Sequence, residues 1–284
     1  MSSDNPYDSL ADEHGADARW AFGTGFTDPL AGVDTSIPEG VDASALAAYC
    51  LALGDDALIY SHRLQQWMTR MPELEEETAI ANIALDLLGQ ARLLLARAGT
   101  VLGHSEDELA FFRDEPQFRN VRLVERADGD FADLVARLLV FAGWRLALME
   151  RLRDTAADPV LAAIAGKSVP ELTYHRDYAA QWVVRLGDGT EESHRRMQAA
   201  LDRLWPLVGE LFEPHPGDLA GVDPAAVDVV LDTVLATAGL DRPSTAPLAR
   251  VGGRAGRDGM HTEDLGYVLA ELQSVARAHP DATW

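Results

Sequence analysis

Residues 74–102, LEEETAIANIALDLLGQARLLLARAGTVL, decide the fold. Leu74, Thr78, Ala81, Leu85, Leu88, Leu95, Gly99 and Leu102 recur in alternating steps of four and three, with Arg92 the one charged residue in the row. Such spacing puts them on one helical face, so the row is predicted to be the seam of a helix bundle. Gly89 interrupts the helix interior at a cost of about 1 kcal/mol relative to Ala. It is predicted to be a packing position where a neighbouring helix approaches closely.

Outward from this segment the helical pattern continues. Upstream, residues 44–70 carry Leu46, Tyr49, Cys50, Leu53, Leu58, Leu64, Trp67 and Met71 on overlapping helical rows, with Pro72 as the stop. Downstream, Asp130 is a good N-cap for a third helix through Leu134, Leu138, Phe141, Arg145, Leu148 and Leu152. Asp158-Pro159 opens a fourth, expected to kink at Pro170 and to end near Leu186. Shorter helices are expected over about 190–212, from Pro224 to near Gly239, and over about 262–278. Nothing alternates with period two, so the chain reads as all-α. Some 27 residues separate the second and third helices, too many for a tight hairpin. A helix of about 24 residues is roughly 36 Å long, and a connection of this size can run back along it. That is the layout of a ferritin-like four-helix bundle: two helix hairpins joined by one long crossover, here with additional C-terminal helices. Residues 41–284 are read as that domain. Residues 1–40 lack a sustained period and are read as a flexible arm, with an aromatic cluster of Trp20, Phe22 and Phe26.

The chain has 284 residues, with 46 acidic against 24 basic side chains and a net charge of −22. So acidic a molecule repels polyanions and anionic membrane surfaces, which argues against nucleic-acid and membrane partners. A single cysteine, Cys50, fits a reducing, cytoplasmic setting. The N-terminus has neither the basic nor the apolar region of a signal peptide, and no run of about 18 uncharged apolar residues occurs.

Bundles of this kind often hold a di-iron or di-manganese centre built from one carboxylate on each of two helices and a Glu-x-x-His pair on each of the others. Hard metal pairs need bridging carboxylates, and residues three apart on a helix project to the same side. The first helix has no Glu, only Asp55 and Asp56, read as lying near its start. The second offers Asp86, but Gly89 stands three residues on. In the third helix no acid lies between Asp133 and Glu150. The fourth has Glu171, yet position 174 is Tyr174 and the histidine is displaced to His175. These positions read as a degenerate site, with no metal, catalytic or cofactor-binding residue in this chain. Glu191-x-x-His194 falls in a helical first turn outside the four-helix core, where acids favour the macrodipole. The polar row Asn82, Asp86, Gln90 reads as a buried network paired with Arg92 or Arg145, or else as a remnant metal position. His62, His175 and His261 have no nucleophile at a recognisable spacing. The segment ARVGGRAGRDG, residues 249–259, either grips a phosphate or acidic partner with Arg250, Arg254 and Arg257 or is a surface loop with incidental charge.

Several stretches together resemble the C-type structural subunits of the multicomponent phenylacetyl-CoA ring-1,2-epoxidase. They are LALGDDALIYSHRL (51–64), ANIALDLLGQARLLL (81–95), DELAFFRDEPQFRNVRLVE (107–125), DGDFAD (128–133), YHRDYAAQWVVRLGDGTEES (174–193), LWPLVGELF (204–212) and GMHTEDLGYVLAELQ (259–273). The resemblance implies a ferritin-like subunit that has lost its metal site, paired with a homologous A-type subunit holding the di-iron centre. That complex uses O₂ to epoxidise the ring of phenylacetyl-CoA in aerobic phenylacetate breakdown, with electrons from a separate reductase. Gly89, Tyr174 and the acid-free third helix separate this chain from the A-type pattern. The competing expectation is a di-metal oxidase or oxygenase active by itself, using Asp56, Asp86, Glu171 and His175; a storage shell would need the same missing ligands.

Overall fold

The computed structural model describes residues 30–282 apart from Pro72; the aromatic cluster Trp20, Phe22 and Phe26 lies outside the described residues. Four long helices form two antiparallel hairpins: α1 (Ala43–Gln65) with α2 (Leu74–Leu102), then, after the short α3 (Glu106–Phe111), α4 (Phe131–Thr155) with α5 (Pro159–Gly187). The pairs join where α2 packs on α5 and where Tyr60 of α1 meets Phe141 of α4 edge-on at 4.7 Å. Helices α6 (Glu191–Leu204) and α7 (Pro224–Ala238) cover α4 and α5; α8 (Glu263–Leu272) and α9 (Ser274–Ala278) follow, α8 against α1. Among the described residues there is no strand.

Helix boundaries follow the capping chemistry. Asp42, Asp130, Asp158 and Asp223 each accept backbone N–H bonds in the first turn of α1, α4, α5 and α7, and Gly239 ends α7 in the left-handed conformation. α1 stops at Gln65, short of the predicted 70, and a single tight turn over Met68–Arg70 follows. Pro206 converts the end of the predicted 190–212 helix into a tighter 3₁₀ run over Trp205–Phe212. The expected last helix breaks at Gln273 into α8 and α9. α5 runs through Pro170 as one helix.

The seam on α2 is the main correction. Leu74, Thr78, Leu85, Arg92 and Leu102 are exposed, Ala81 and Leu88 are half-buried, and only Leu95 and Gly99 are buried. The core-facing row is instead Ile80, Ile83, Ala84, Leu87, Ala91, Leu94 and Ala98. A straight helix drifts about 20° per heptad from a strict seven-residue repeat, so the row starts outside and turns inward by Leu95 and Gly99, before Leu102 emerges at the helix end. Gly89 is corrected with it: a Cβ added there would meet nothing within 4 Å, so nothing among the described residues needs the glycine.

The crossover runs back along α1 as expected. The Arg113 guanidinium pairs with Asp55, Arg119 N donates to Asp55 at 2.8 Å, Val121 N to Asp56 at 2.8 Å, and Arg63 Nε to the Glu125 carbonyl at 2.7 Å. Residues 30–40 do not belong with a free arm. Leu30 and Val33 pack against the core, and Arg97 donates to the carbonyls of Thr35 and Ser36 while pairing with Asp158.

Candidate functional site

A bundle metal centre draws one or two ligands from each long helix at a common level. At that level this chain places Asp56 on α1, Asp86 and Gln90 on α2, Arg145 on α4, and Lys167, Glu171 and His175 on α5. Four of them, Arg145, Gln90, Glu171 and Lys167, join as a chain of hydrogen bonds. Arg145 Nε donates to Gln90 Oε1 at 3.0 Å, and Arg145 Nη2 to the Leu53 carbonyl at 3.2 Å. Gln90 Nε2 donates to Glu171 Oε2 at 3.1 Å, and the Lys167 ammonium pairs with Glu171 Oε1 one turn away. Arg145 Nη1 lies 3.9 Å from Asp56 Oδ2 and has no hydrogen bond of its own.

Asp56 is held more closely from another direction. Arg257 places Nη2 2.7 Å from Asp56 Oδ2 and Nη1 3.0 Å from Oδ1, and also donates to the carbonyls of Ala52 and Arg119. Burial lowers the Arg145 guanidinium to about 10 even with Asp56 opposing the shift, which leaves it charged at neutral pH. In Arg257 the pull of Asp56 overcomes burial and the shift is upward.

Asp86 and His175 form a separate pair, with His175 Nε2 3.0 Å from Asp86 Oδ2. The imidazole is buried, and its Nδ1 has no partner among the described residues. Tyr174 points outward, half exposed, with its ring centroid 6.3 Å from that of His175.

The donor set does not fit a dinuclear centre. The acids proposed for an atypical oxidase, Asp56, Asp86 and Glu171, sit in three different pairings with Arg257, His175 and Lys167, and the interior cation Arg145 stands among them. A guanidinium and an ammonium at this level oppose a second positive charge. Among the described residues, the acidic group close enough to share an ion is Glu73, Glu75 and Glu76, in the outer first turn of α2 where acids favour the helix dipole.

The sequence-predicted row divides. Gln90 is buried and pairs with Arg145; Asn82 is exposed, and Arg92 lies on the surface, bound to Glu106 at 2.7 Å. The three arginines of 249–259 all bond within the chain: Arg257, turned inward, to Asp56, and nearer the surface Arg250 to Glu213 and Asp258 and Arg254 to the Asp258 carbonyl. This loop closes on the crossover rather than offering a phosphate grip. His261 is likewise structural, with Nδ1 2.6 Å from Glu125 Oε1 and Nε2 donating to the Phe118 carbonyl at 3.0 Å. His194 Nδ1 lies 2.7 Å from the Gly187 carbonyl at the end of α5, and His62 meets Glu271 at 3.3 Å.

The residues that pin this network, from Asp55-Asp56 through Arg113, Arg119, Val121 and Glu125 to Arg257 and His261, all fall within the span over which the chain resembles known proteins. Residues 33–284 match the family described as phenylacetic acid catabolic protein. The chain belongs to that family. Within it, the chain is 41% identical over 246 residues to the C-type subunit of the 1,2-phenylacetyl-CoA epoxidase of Escherichia coli (strain K12), an alignment covering 84% of this chain and 99% of the relative. The helical fold of the phenylacetic acid catabolic family is the ferritin-like one expected from the sequence. The buried network therefore lies where that fold can carry a metal centre.

Sequence reasoning missed one participant and did not connect two others to the arginines that hold them. Lys167, the only lysine in the chain, closes the network on α5. The adjacent acids Asp55 and Asp56, inside an otherwise apolar stretch, are the signal that arginines elsewhere must reach them.

Proposed function

We propose that this chain is the non-catalytic, structural subunit of a multicomponent phenylacetyl-CoA 1,2-epoxidase in aerobic phenylacetate degradation. Its partner is a homologous A-type subunit that carries the di-iron centre, with a reductase subunit supplying electrons. The relative's name supports membership of such an enzyme. One observation carries the non-catalytic role: Arg145, fully buried, bridges α1, α2 and α4 at the level of the expected metal site through Leu53, Gln90 and Asp56. With a fixed cation in its interior, the bundle keeps its shape and presents it to a partner, while activation of O₂ takes place in the A-type subunit. Degenerate ligand positions Asp86, Gly89, Glu171, Tyr174 and His175 then have structural duties only. The working compartment is the cytoplasm, in keeping with the one reduced cysteine.

The test is reconstitution. The chain, the A-type subunit of the same source and the reductase are combined, and O₂-dependent consumption of phenylacetyl-CoA is followed. Turnover should require the A-type subunit and survive Asp86→Asn combined with Glu171→Gln in this chain. Turnover by this chain with reductase alone would overturn the proposal.

A further inference from the structure

We infer that the outer face of α2, bordered by Tyr174 on α5, docks an α-helix of the catalytic partner subunit, which crosses closest at Gly89. The inference rests on the subunit reading above but is carried by four observations within this chain.

First, α2 is more apolar than its exposure allows for a helix left in water. α2 is at least as apolar as α1, yet the most apolar stretch of α2 is less than half buried whereas that of α1 is largely buried. Leu74 is 72% exposed and Leu85 60% exposed, and Tyr174 is 50% exposed on the row of α5 that also carries Glu171. Second, the exposed Leu74, Thr78, Leu85 and Arg92 share one heptad row with the half-buried Ala81 and Leu88. A seven-residue repeat is kept in register by a second helix supercoiled against it, whereas a solitary helix gains nothing from it.

Third, Gly89 sits on this face with open space above it. A glycine in a helix interior is destabilising, and among the described residues none needs its lack of a side chain. The remaining use is close approach from outside. Fourth, the C-terminal helices cover other sides of the bundle: α6 and α7 lie on α4 and α5, and α8 lies on α1. The α2 face adjoining α5 is the side they leave bare.

The chemistry of the occupant follows from the rim. Glu73, Glu75, Glu76 and Glu77 gather at the start of α2, so the docking helix should carry an apolar seam ending in Lys or Arg over these acids. Asp86 and Arg92 on the same face argue against a lipid surface. A second copy is disfavoured by the charge of −22 on each chain.

The experiment uses the full chain with its A-type subunit. A photo-crosslinking residue is placed in turn at Leu85, at Tyr174 and, as controls that are somewhat more exposed, at Val229 on α7 and Tyr267 on α8. Separately, Gly89→Leu and Leu85→Arg are tested for complex formation by size-exclusion chromatography with light scattering. Crosslinks to the A-type subunit are expected from Leu85 and Tyr174 and not from the controls. Gly89→Leu should weaken the complex at least tenfold while the isolated variant melts within about 2 °C of the parent chain. Crosslinks only at Val229 or Tyr267, crosslinks from Leu85 to a second copy, or wild-type affinity in both variants would overturn the assigned face and leave the subunit reading standing. Failure of the unmodified chain to bind the A-type subunit at all would overturn both.

Discussion

Arg145 Nε donates to Gln90 Oε1 over 3.0 Å between two side chains that are almost wholly withdrawn from solvent. This bond ties the second hairpin to the first in the stretch of α4 between Asp133 and Glu150, which holds no acid. Replacing Arg145 with Leu leaves Gln90 Oε1 buried without its donor, at about 1–3 kcal/mol, and removes the buried positive charge beside Asp56. Arg145→Leu should therefore lower unfolding stability by roughly 2–5 kcal/mol in a denaturant titration. A change below about 0.5 kcal/mol would show that the interior network does not hold the hairpins together.

Gly89 gives a prediction of opposite sign. With nothing near its absent Cβ, Gly89→Ala should raise the stability of the isolated chain by about 0.5–1 kcal/mol, through helix propensity alone. A loss of stability in thermal melts would mean that a neighbouring element crowds this position after all.

Truncation separates the two parts of the expected arm. Removal of residues 1–29 should leave stability and partner binding unchanged, since the family match begins at residue 33. Removal of residues 1–40 also strips Leu30 and Val33 from the core and the Thr35 carbonyl from Arg97, and should lower the melting temperature by several degrees. Equal melting of the two truncations would return residues 30–40 to the arm.

Cys50 reports on opening of the bundle. Burial pushes its thiol up to about 12, with Asp158 adding to the shift and Arg97 opposing it, and its side chain is inaccessible. Only about one thiol in ten thousand is then ionised at pH 8, where a free thiol is substantially reactive. Native protein should resist a thiol-specific disulfide reagent and release one equivalent per chain once denatured. Rapid labelling without denaturant would contradict the packing of α1 against Arg97 and Asp158.

Much of the fold was legible because apolar periodicity, Asp caps and the length of the 103–129 connection are local or nearly local signals. α4 matched closely, since Leu134, Leu138, Phe141, Arg145, Leu148 and Leu152 are all buried. The face of α2 was not legible. Leu74 and Leu85 look like core in sequence, and a heptad row does not state whether its partner helix belongs to the same chain. The Arg145–Gln90 contact was one of two pairings the sequence left open; Arg92, the other, lies outside. The engagement of Asp55 by Arg113 and of Asp56 by Arg257 spans 58 and 201 residues, and no local pattern connects side chains at such separations.

The central claim, that this subunit holds no metal centre and its interior cation stands in the place of one, is tested most directly by metal analysis of the purified full-length chain after iron supplementation. The account predicts well under one iron or manganese per chain, unaltered when Asp86 and Glu171 are replaced by Asn and Gln. Two metals per chain, lost on those replacements, would contradict it.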